Sequence, residues 1–382
     1  MHVGLNLIYL VPGETGGLET YARELIPALL HEYPSLRLTA FVNRETVEAS
    51  QGPWTELIPS VTVPVRARQR TQWVRGEQQL LPPLAKRAGV DLLHSLASTA
   101  PAWGAFRRVV TIHDVIYRIY PEAHQGLRSL GMRLLVPLAA RRSHRIIVPS
   151  QATRTDLVRL LKVPAEKVQV VPEGLGMSAA QRWVSEDELR RRHDLGARPF
   201  VLSVSAKRPH KNLVRLLEAL AVIPTERRPL LVLPGYATPY ERELRLCSAR
   251  LGLSSDTRFL GWISHEELEG LYRSAACFVF PSLYEGFGLP VLEAMARGVP
   301  VACSDRGALG EVIDGAAVTF DPEQPRAIAD AIDRLLADPA ERERLRVAGR
   351  NNAARFTWSE TARRTLQTYE LALGSAAVKH ER

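Results

Sequence analysis

Short apolar runs alternate with segments of helical period from one end of this chain to the other. That alternation restricts it to α/β architectures, in which parallel sheets are covered by helices on both faces. In the first half the runs predict strands at Val3 to Ile8, Arg37 to Val42, Val90 to His94, Val109 to His113, Arg145 to Pro149 and Val168 to Val171. Pro172, Gly174 and Gly176 then break the pattern ahead of a polar, strongly charged stretch that ends near Arg198. A second series follows at Phe200 to Ser205, Leu230 to Leu233, Arg258 to Gly261, Cys277 to Phe280, Val299 to Cys303 and Ala317 to Phe320. With 382 residues, more than one hydrophobic core usually organises, two doubly wound Rossmann-like domains are expected. Their bounds are 1–174 and 199–357, with a linker at 175–198 and a C-terminal segment at 358–382.

Three helix starts carry the Ser/Thr-x-x-Glu spacing in which two side chains satisfy each other's free backbone donors: Ser185 with Glu188, Ser264 with Glu267, and Thr357 with Glu360. The last opens a helix from Trp358 to about Leu373, long enough to cross back onto the first domain.

Composition excludes several classes. Apolar residues make up 46% and charged residues 24%, values typical of a globular protein, and no run of eighteen apolar residues offers a membrane span. Met1 to Leu10 lacks a basic region and a small-residue cleavage site, so it is expected to be a first strand and not a leader, which points to the cytoplasm. The cysteines, Cys247, Cys277 and Cys303, are far apart and flanked by apolar residues, as packing thiols are. The net charge of +9 lies mostly ahead of Gly174, in Arg66, Arg68, Arg70 and Arg75 around Trp73 and in Arg128, Arg133, Arg141, Arg142 and Arg145. Such patches suit anionic headgroups at the inner face of a membrane or a phosphorylated acceptor; solvated charge is the plainer alternative. No nucleic-acid motif accompanies the charge, so no nucleic-acid partner is expected.

The most informative segment runs from Pro281 to Ala296, PSLYEGFGLPVLEAMA. It follows a strand and leads into a helix whose first position suits Pro290, while Gly286 and Gly288 let the backbone approach a bound group closely. Amides at such a helix start, backed by the helix dipole, form a site for a diphosphate. Glu285 would repel phosphate, so its natural partner is a neutral polyol whose hydroxyls donate to a carboxylate. Glu293, one turn into the helix, can take a ribose diol in the same way. Taken alone, Glu285 could be a turn residue and Glu293 an acid placed near the helix start. Both acids with both glycines and Pro290 at this spacing make a site.

This segment is similar to the Glu-x7-Glu signature of retaining glycosyltransferase family 4, which includes bacterial mannosyltransferases, and the resemblance extends over nearly the whole chain. It implies a GT-B fold with two domains facing across a deep cleft. It also implies an enzyme that moves a hexose, with a mannose-like sugar favoured, from a nucleoside-diphosphate sugar. GDP-mannose is the favoured donor; the acceptor would be a glycan, a lipid-linked molecule or a small molecule. The resemblance places Glu285 on the transferred sugar and Glu293 on the ribose. The backbone of Gly286, Phe287, Gly288 and Leu289 would hold sugar hydroxyls and phosphate.

The loop Ser203 to Leu213 looks like the family's phosphate-binding loop, which ends in Lys-Asn. Lys211 would hold the diphosphate and offset charge on the leaving group, with Ser205 beside it. Many relatives carry Gly near the start of the loop and Arg just before the Lys, where this chain has Ser205 and His210. Arg208 is therefore assigned as the second cation, with Lys207 as the alternative. Gly16 and Gly17, opening a helix after the first strand, resemble the loop that closes over the donor phosphates. His113 and Asp114 follow a strand, where ligands bind open parallel sheets. Relatives place there a His on the donor sugar, or an Asp that helps hold the acceptor. His94 is a further acceptor candidate, and Trp262 with Ile263 resembles the turn whose backbone reads the base. There is no Asp-x-Asp pair, so neither a metal nor a cofactor besides the donor is expected. A nucleotide-sugar epimerase of the same architecture and a non-catalytic nucleotide-sugar-binding protein remain the alternatives.

Overall fold

The computed structural model describes residues 1–121, 127–176 and 182–374, with the side chains at 127–130 outside that description; Arg128 of the basic cluster is among these. The chain forms two compact units, Met1–Gly174 with Phe356–Arg382, and Leu175–Arg355.

The first unit holds β1 (His2–Asn6), β2 (Arg37–Val42), β3 (Ser60–Thr62), β4 (Leu92–Ser95), β5 (Arg107–Thr111), β6 (Arg145–Val148) and β7 (Val168–Val170). They form one sheet in the order β3-β2-β1-β4-β5-β6-β7, and every pairing is parallel. Winding starts at β1, proceeds outward to β3, then returns to β4 on the other side. The topological switch point therefore falls between β1 and β4, where Val3 lies opposite both Leu38 and Leu92. Helices bury both faces, so the central strands read as continuous apolar runs without alternation.

The C-terminal helix Trp358–Leu373 belongs to this unit. Its Ala362, Leu366, Tyr369 and Ala372 enter the same core as Tyr21, Leu25 and Leu29 of the helix Gly17–Glu32. Burying a Leu-sized side chain contributes about 1.5–3 kcal/mol, so this apolar face is enough to hold the helix in place. A polar lock adds specificity. The Tyr369 hydroxyl lies 2.7 Å from His94 Nδ1, and His94 Nε2 lies 2.8 Å from Thr111 Oγ1.

The second unit repeats the plan with β8 (Phe200–Leu202), β9 (Leu230–Pro234), β10 (Thr257–Gly261), β11 (Cys277–Phe280), β12 (Val301–Ser304) and β13 (Val318–Phe320). The order is β10-β9-β8-β11-β12-β13, again parallel throughout, with the switch point between β8 and β11. Part of the stretch expected as a linker is ordered on this unit. The helix Glu186–Arg192 starts at a Ser185 cap, and His193 Nε2 meets Glu267 Oε1 at 3.2 Å. Gly270 has no room for a Cβ, which would stand 2.3 Å from the Val184 carbonyl oxygen. At Ser264 the reciprocal cap is complete, with Glu267 N donating to Ser264 Oγ and Ser264 N to Glu267 Oε2, both at 3.2 Å.

All three cysteines are buried and unbridged, and burial pushes the Cys277 and Cys303 thiols up to about 12, as suits packing residues. No helix among the described residues is long and apolar enough to cross a membrane. The arginines around Trp73 are partly neutralised, because Arg66 pairs with Glu48 and Arg68 with Glu14.

Candidate active site

In the second unit, chemistry collects at the carboxyl ends of β8 and β11, the switch point where open parallel sheets bind ligands. After β8 the chain makes a loop and a short 3-10 turn, Pro209–Lys211, then starts the helix Leu213–Val222 from Asn212 in a left-handed conformation, φ 59°. Asn212 Nδ2 donates to the carbonyls of Pro281 at 3.0 Å and Pro322 at 2.7 Å, tying this loop to those after β11 and β13. Leu283 N donates to the His210 carbonyl at 2.9 Å.

This scaffold brings Lys211 and Glu285 together. Lys211 Nζ donates to Glu285 Oε1 at 2.7 Å, with both side chains largely buried, and the ammonium stands 5.4 Å from the Phe280 ring centre. Glu285 is fixed from behind. Its carbonyl accepts from Ala308 N at 3.0 Å, and Gly307, at φ 62°, packs so tightly that a Cβ would lie 2.6 Å from that same oxygen. Phe287 is buried and anchors the loop, and Gly288, φ 121°, caps the helix Leu289–Ala296. Pro290 is its second residue, one place later than the sequence suggested.

Past the carboxyl ends of β8 and β11, the hydroxyls of Ser203, Ser205 and Ser282 are buried and make no hydrogen bond within the described residues. Glu293 accepts from the Tyr272 hydroxyl at 3.0 Å through Oε2. Trp262 is 64% exposed, and its ring stacks on Tyr236 at 4.3 Å between centroids, with Ile263 half-buried next to it. Arg208 begins the 3-10 turn, half-buried.

Lys207 must be corrected as the alternative second cation. It is fully buried and donates to the carbonyls of Ser205, Leu233 and Pro234 at 3.2, 3.0 and 2.8 Å. Burial pushes its ammonium down to about 8. It is a tie between the ends of β8 and β9 and presents no charge to a ligand.

In the first unit Gly16 sits at φ 62° as the cap residue of the helix that Gly17 begins. His113 lies past the end of β5, with Nδ1 2.8 Å from Glu173 Oε1 and Nε2 2.8 Å from the Leu96 carbonyl. The partners are a carboxylate and a carbonyl, both acceptors, an arrangement that suits the doubly protonated ring. Burial works against that charge, but the Glu173 carboxylate outweighs it and holds the imidazole above its ordinary value. With both nitrogens engaged, His113 can reach a sugar only by exchanging one of these bonds for it. Asp114 Oδ1 accepts from Ile116 N at 2.9 Å and shapes the following turn. His94 is overturned as an acceptor ligand: it is fully buried, both nitrogens are used within the core, and burial holds it down to about 3. Glu173, Tyr236 and Tyr272 are not singled out by the sequence. Glu173 alone left a trace, as the acid inside the Pro172 to Gly176 break. Among the described residues no group of three or more His, Cys, Asp or Glu is placed to hold a metal ion.

Comparison with known proteins gives the family and the fold. Residues 185–352 match the family of glycosyl transferases group 1, and residues 15–177 match glycosyltransferase family 4. The O-antigen chain mannosyltransferase B of Escherichia coli is 32% identical over 268 residues, covering 69% of this chain and 70% of that protein. The serotype-specific mannosyltransferase WbdA of Escherichia coli is 30% identical over 281 residues, which is 71% of this chain but 34% of WbdA. In fold, the sucrose-phosphate synthase of Thermosynechococcus elongatus superposes with a TM-score of 0.78 at 22% identity, over 98% of this chain and 100% of the other. Two doubly wound units with these relatives define an enzyme of the GT-B class, a glycosyltransferase. More narrowly, the chain belongs to glycosyltransferase family 4 and is a hexosyltransferase.

Proposed function

We propose that this enzyme moves a mannose-like hexose from a nucleoside-diphosphate sugar, GDP-mannose for preference, to a glycan, lipid-linked or small-molecule acceptor, retaining the anomeric configuration. The observation that carries the reading is the Lys211–Glu285 pair at 2.7 Å, a cation and an anion at one sheet edge. A diphosphate sugar presents both complements: negative oxygens for Lys211 and neutral hydroxyls for Glu285. The mannosyltransferase relatives favour mannose among hexoses.

In this reading the diphosphate lies against Lys211, the loop backbone at Gly286 to Leu289 and the Ser205 hydroxyl, with Arg208 as second cation. Glu285 takes sugar hydroxyls, Glu293 the ribose, and Trp262 with Ile263 the base. Gly16 and Gly17 serve the phosphates, and His113 and Asp114 serve the sugar and acceptor through the first unit. As the bond between the anomeric carbon and the phosphate oxygen breaks, its electron pair goes to the nucleoside diphosphate. Charge developing there is met by Lys211, with no metal ion required. The acceptor hydroxyl bonds to the same face of that carbon, and its proton passes to the departing phosphate oxygen. No protein nucleophile takes part. Work at the cytoplasmic face of a membrane, through Arg70, Arg75, Arg133, Arg141 and Arg142, completes the proposal.

A thermal-shift panel of GDP-mannose, GDP, UDP-glucose, UDP and ADP-glucose tests the donor. GDP-mannose should raise the melting temperature most. No shift with any nucleotide would refute the donor reading, and a larger shift with UDP-glucose would refute the choice of donor. Activity that disappears with a chelator and returns with magnesium or manganese would refute metal independence.

A further inference from the structure

Glu293 does not choose its own orientation. Its carboxylate is held between two features of the second unit: the buried Tyr272 hydroxyl, which donates to Oε2 at 3.0 Å, and Gly176, where a Cβ would stand 2.2 Å from Oε1. Tyr272 is 1% exposed, and burial, followed by the Glu293 charge, holds its phenol well above the ordinary range. It therefore stays protonated and keeps its proton on the bond to Glu293.

The phenol is itself fixed. Glu269, fully buried, binds Arg273 Nε and Arg297 Nε at 2.7 Å each. The Arg297 guanidinium lies 5.1 Å from the Tyr272 ring centre, and its Nη1 donates to the Glu293 carbonyl at 3.1 Å. Arg297 thus touches the ring that holds the carboxylate and the backbone that carries it. The helices His265–Ser274 and Leu289–Ala296 are thus joined by the Tyr272–Glu293 bond and, at the end of the second helix, by the Glu269–Arg297 pair.

A carboxylate that grips a vicinal diol must present its oxygens at a fixed angle, because two hydroxyl donors set both distance and direction. We infer that Tyr272 and Gly176 are positioning residues for the donor's ribose: the phenol turns the Glu293 carboxylate and the glycine leaves it room, so that the enzyme selects ribonucleotides by their 2′- and 3′-hydroxyls. This inference rests on the donor reading above and adds the residues that make the ribose contact selective.

The experiment measures Kd by calorimetry for GDP, UDP and ADP, each beside its 2′,3′-dideoxy counterpart, on the full chain. The wild type should bind the ribonucleotide of its preferred base at least tenfold tighter than the dideoxy form. Tyr272→Phe should reduce that ratio to about twofold by weakening the ribonucleotide alone, leaving the dideoxy Kd unchanged. Glu293→Gln should do the same, and the double variant should lose nothing further. Gly176→Ala, which keeps the phenol but displaces the carboxylate, should also lower the ratio and serves if Tyr272→Phe does not fold. If Glu293→Gln abolishes the preference while Tyr272→Phe and Gly176→Ala both keep it, the positioning role is wrong and the donor reading survives. If the wild type shows no preference, the placement of Glu293 on ribose fails and this inference falls with it.

Discussion

The Lys211 ammonium sits 2.7 Å from Glu285 Oε1, with side chains only 16% and 10% exposed. Removing one partner leaves a mostly buried charge unpaired, which typically costs about 3 kcal/mol. Lys211→Met and Glu285→Gln should therefore each destabilise the fold by about 2–4 kcal/mol in urea titrations. The double variant should recover most of that loss. Turnover should not recover. Lys211→Met alone should lower kcat by about 100-fold or more, the usual effect of losing one group that stabilises developing charge. Stability and activity that returned together in the double variant would mean the pair is structural only.

Gly307 supports Glu285 from behind, with φ 62° and no space for a Cβ against the Glu285 carbonyl. Gly307→Ala should cost about 1–3 kcal/mol in strain. It should also weaken donor binding, because relief of the clash displaces Glu285. Thermal melting with and without GDP-mannose reads both effects.

His94 stays neutral in the core, held down to about 3 by burial, whereas an unfolded chain takes up its proton near pH 6.5. Between those values the unfolded state binds the extra proton, so acid destabilises the fold, by about 2 kcal/mol at pH 5. His94→Gln should be less stable than wild type at pH 7.5, because Tyr369 and Thr111 lose their partner. That deficit should shrink at pH 5, as chemical denaturation at the two pH values would show.

The His113–Glu173 pair has the opposite pH dependence. A folded value raised above the unfolded one gives stability that is fully present below about pH 6.5 and is lost as pH rises through the folded value. Glu173→Gln should therefore cost most below about pH 6.5 and progressively less as pH rises through the folded value. The His113 ring protons should titrate at lower pH in the variant by NMR. An unchanged titration would show that Glu173 does not hold the charge.

Much of the fold is legible in the sequence. Parallel strands buried on both faces are continuous apolar runs, and Arg37–Val42 and Cys277–Phe280 lie where those runs place them. β3, Ser60–Thr62, has too short and too polar a run to register, since it is an edge strand defined by pairing with Ala40 to Val42. Caps depend on neighbours three residues apart, so the helix starts at Ser185, Ser264 and Thr357 are readable, although the reciprocal bond is formed at Ser264 while Ser185 and Thr357 cap one way. Contacts across the fold are not readable. Lys207 and Lys211 are alike in sequence, yet the carbonyls at the ends of β8 and β9 bury the first and leave the second to meet Glu285. His94 and Tyr369 are 275 residues apart, so a histidine ending a strand looked like a ligand when its partner was a helix at the far end of the chain.

The most direct test is release of GDP from GDP-mannose, coupled to transfer onto an acceptor glycan, measured for wild type and Glu285→Gln, with folding of both confirmed by melting. The account predicts acceptor-dependent release by the wild type and a loss of at least 100-fold in the variant. Equal turnover by a folded Glu285→Gln enzyme would contradict it.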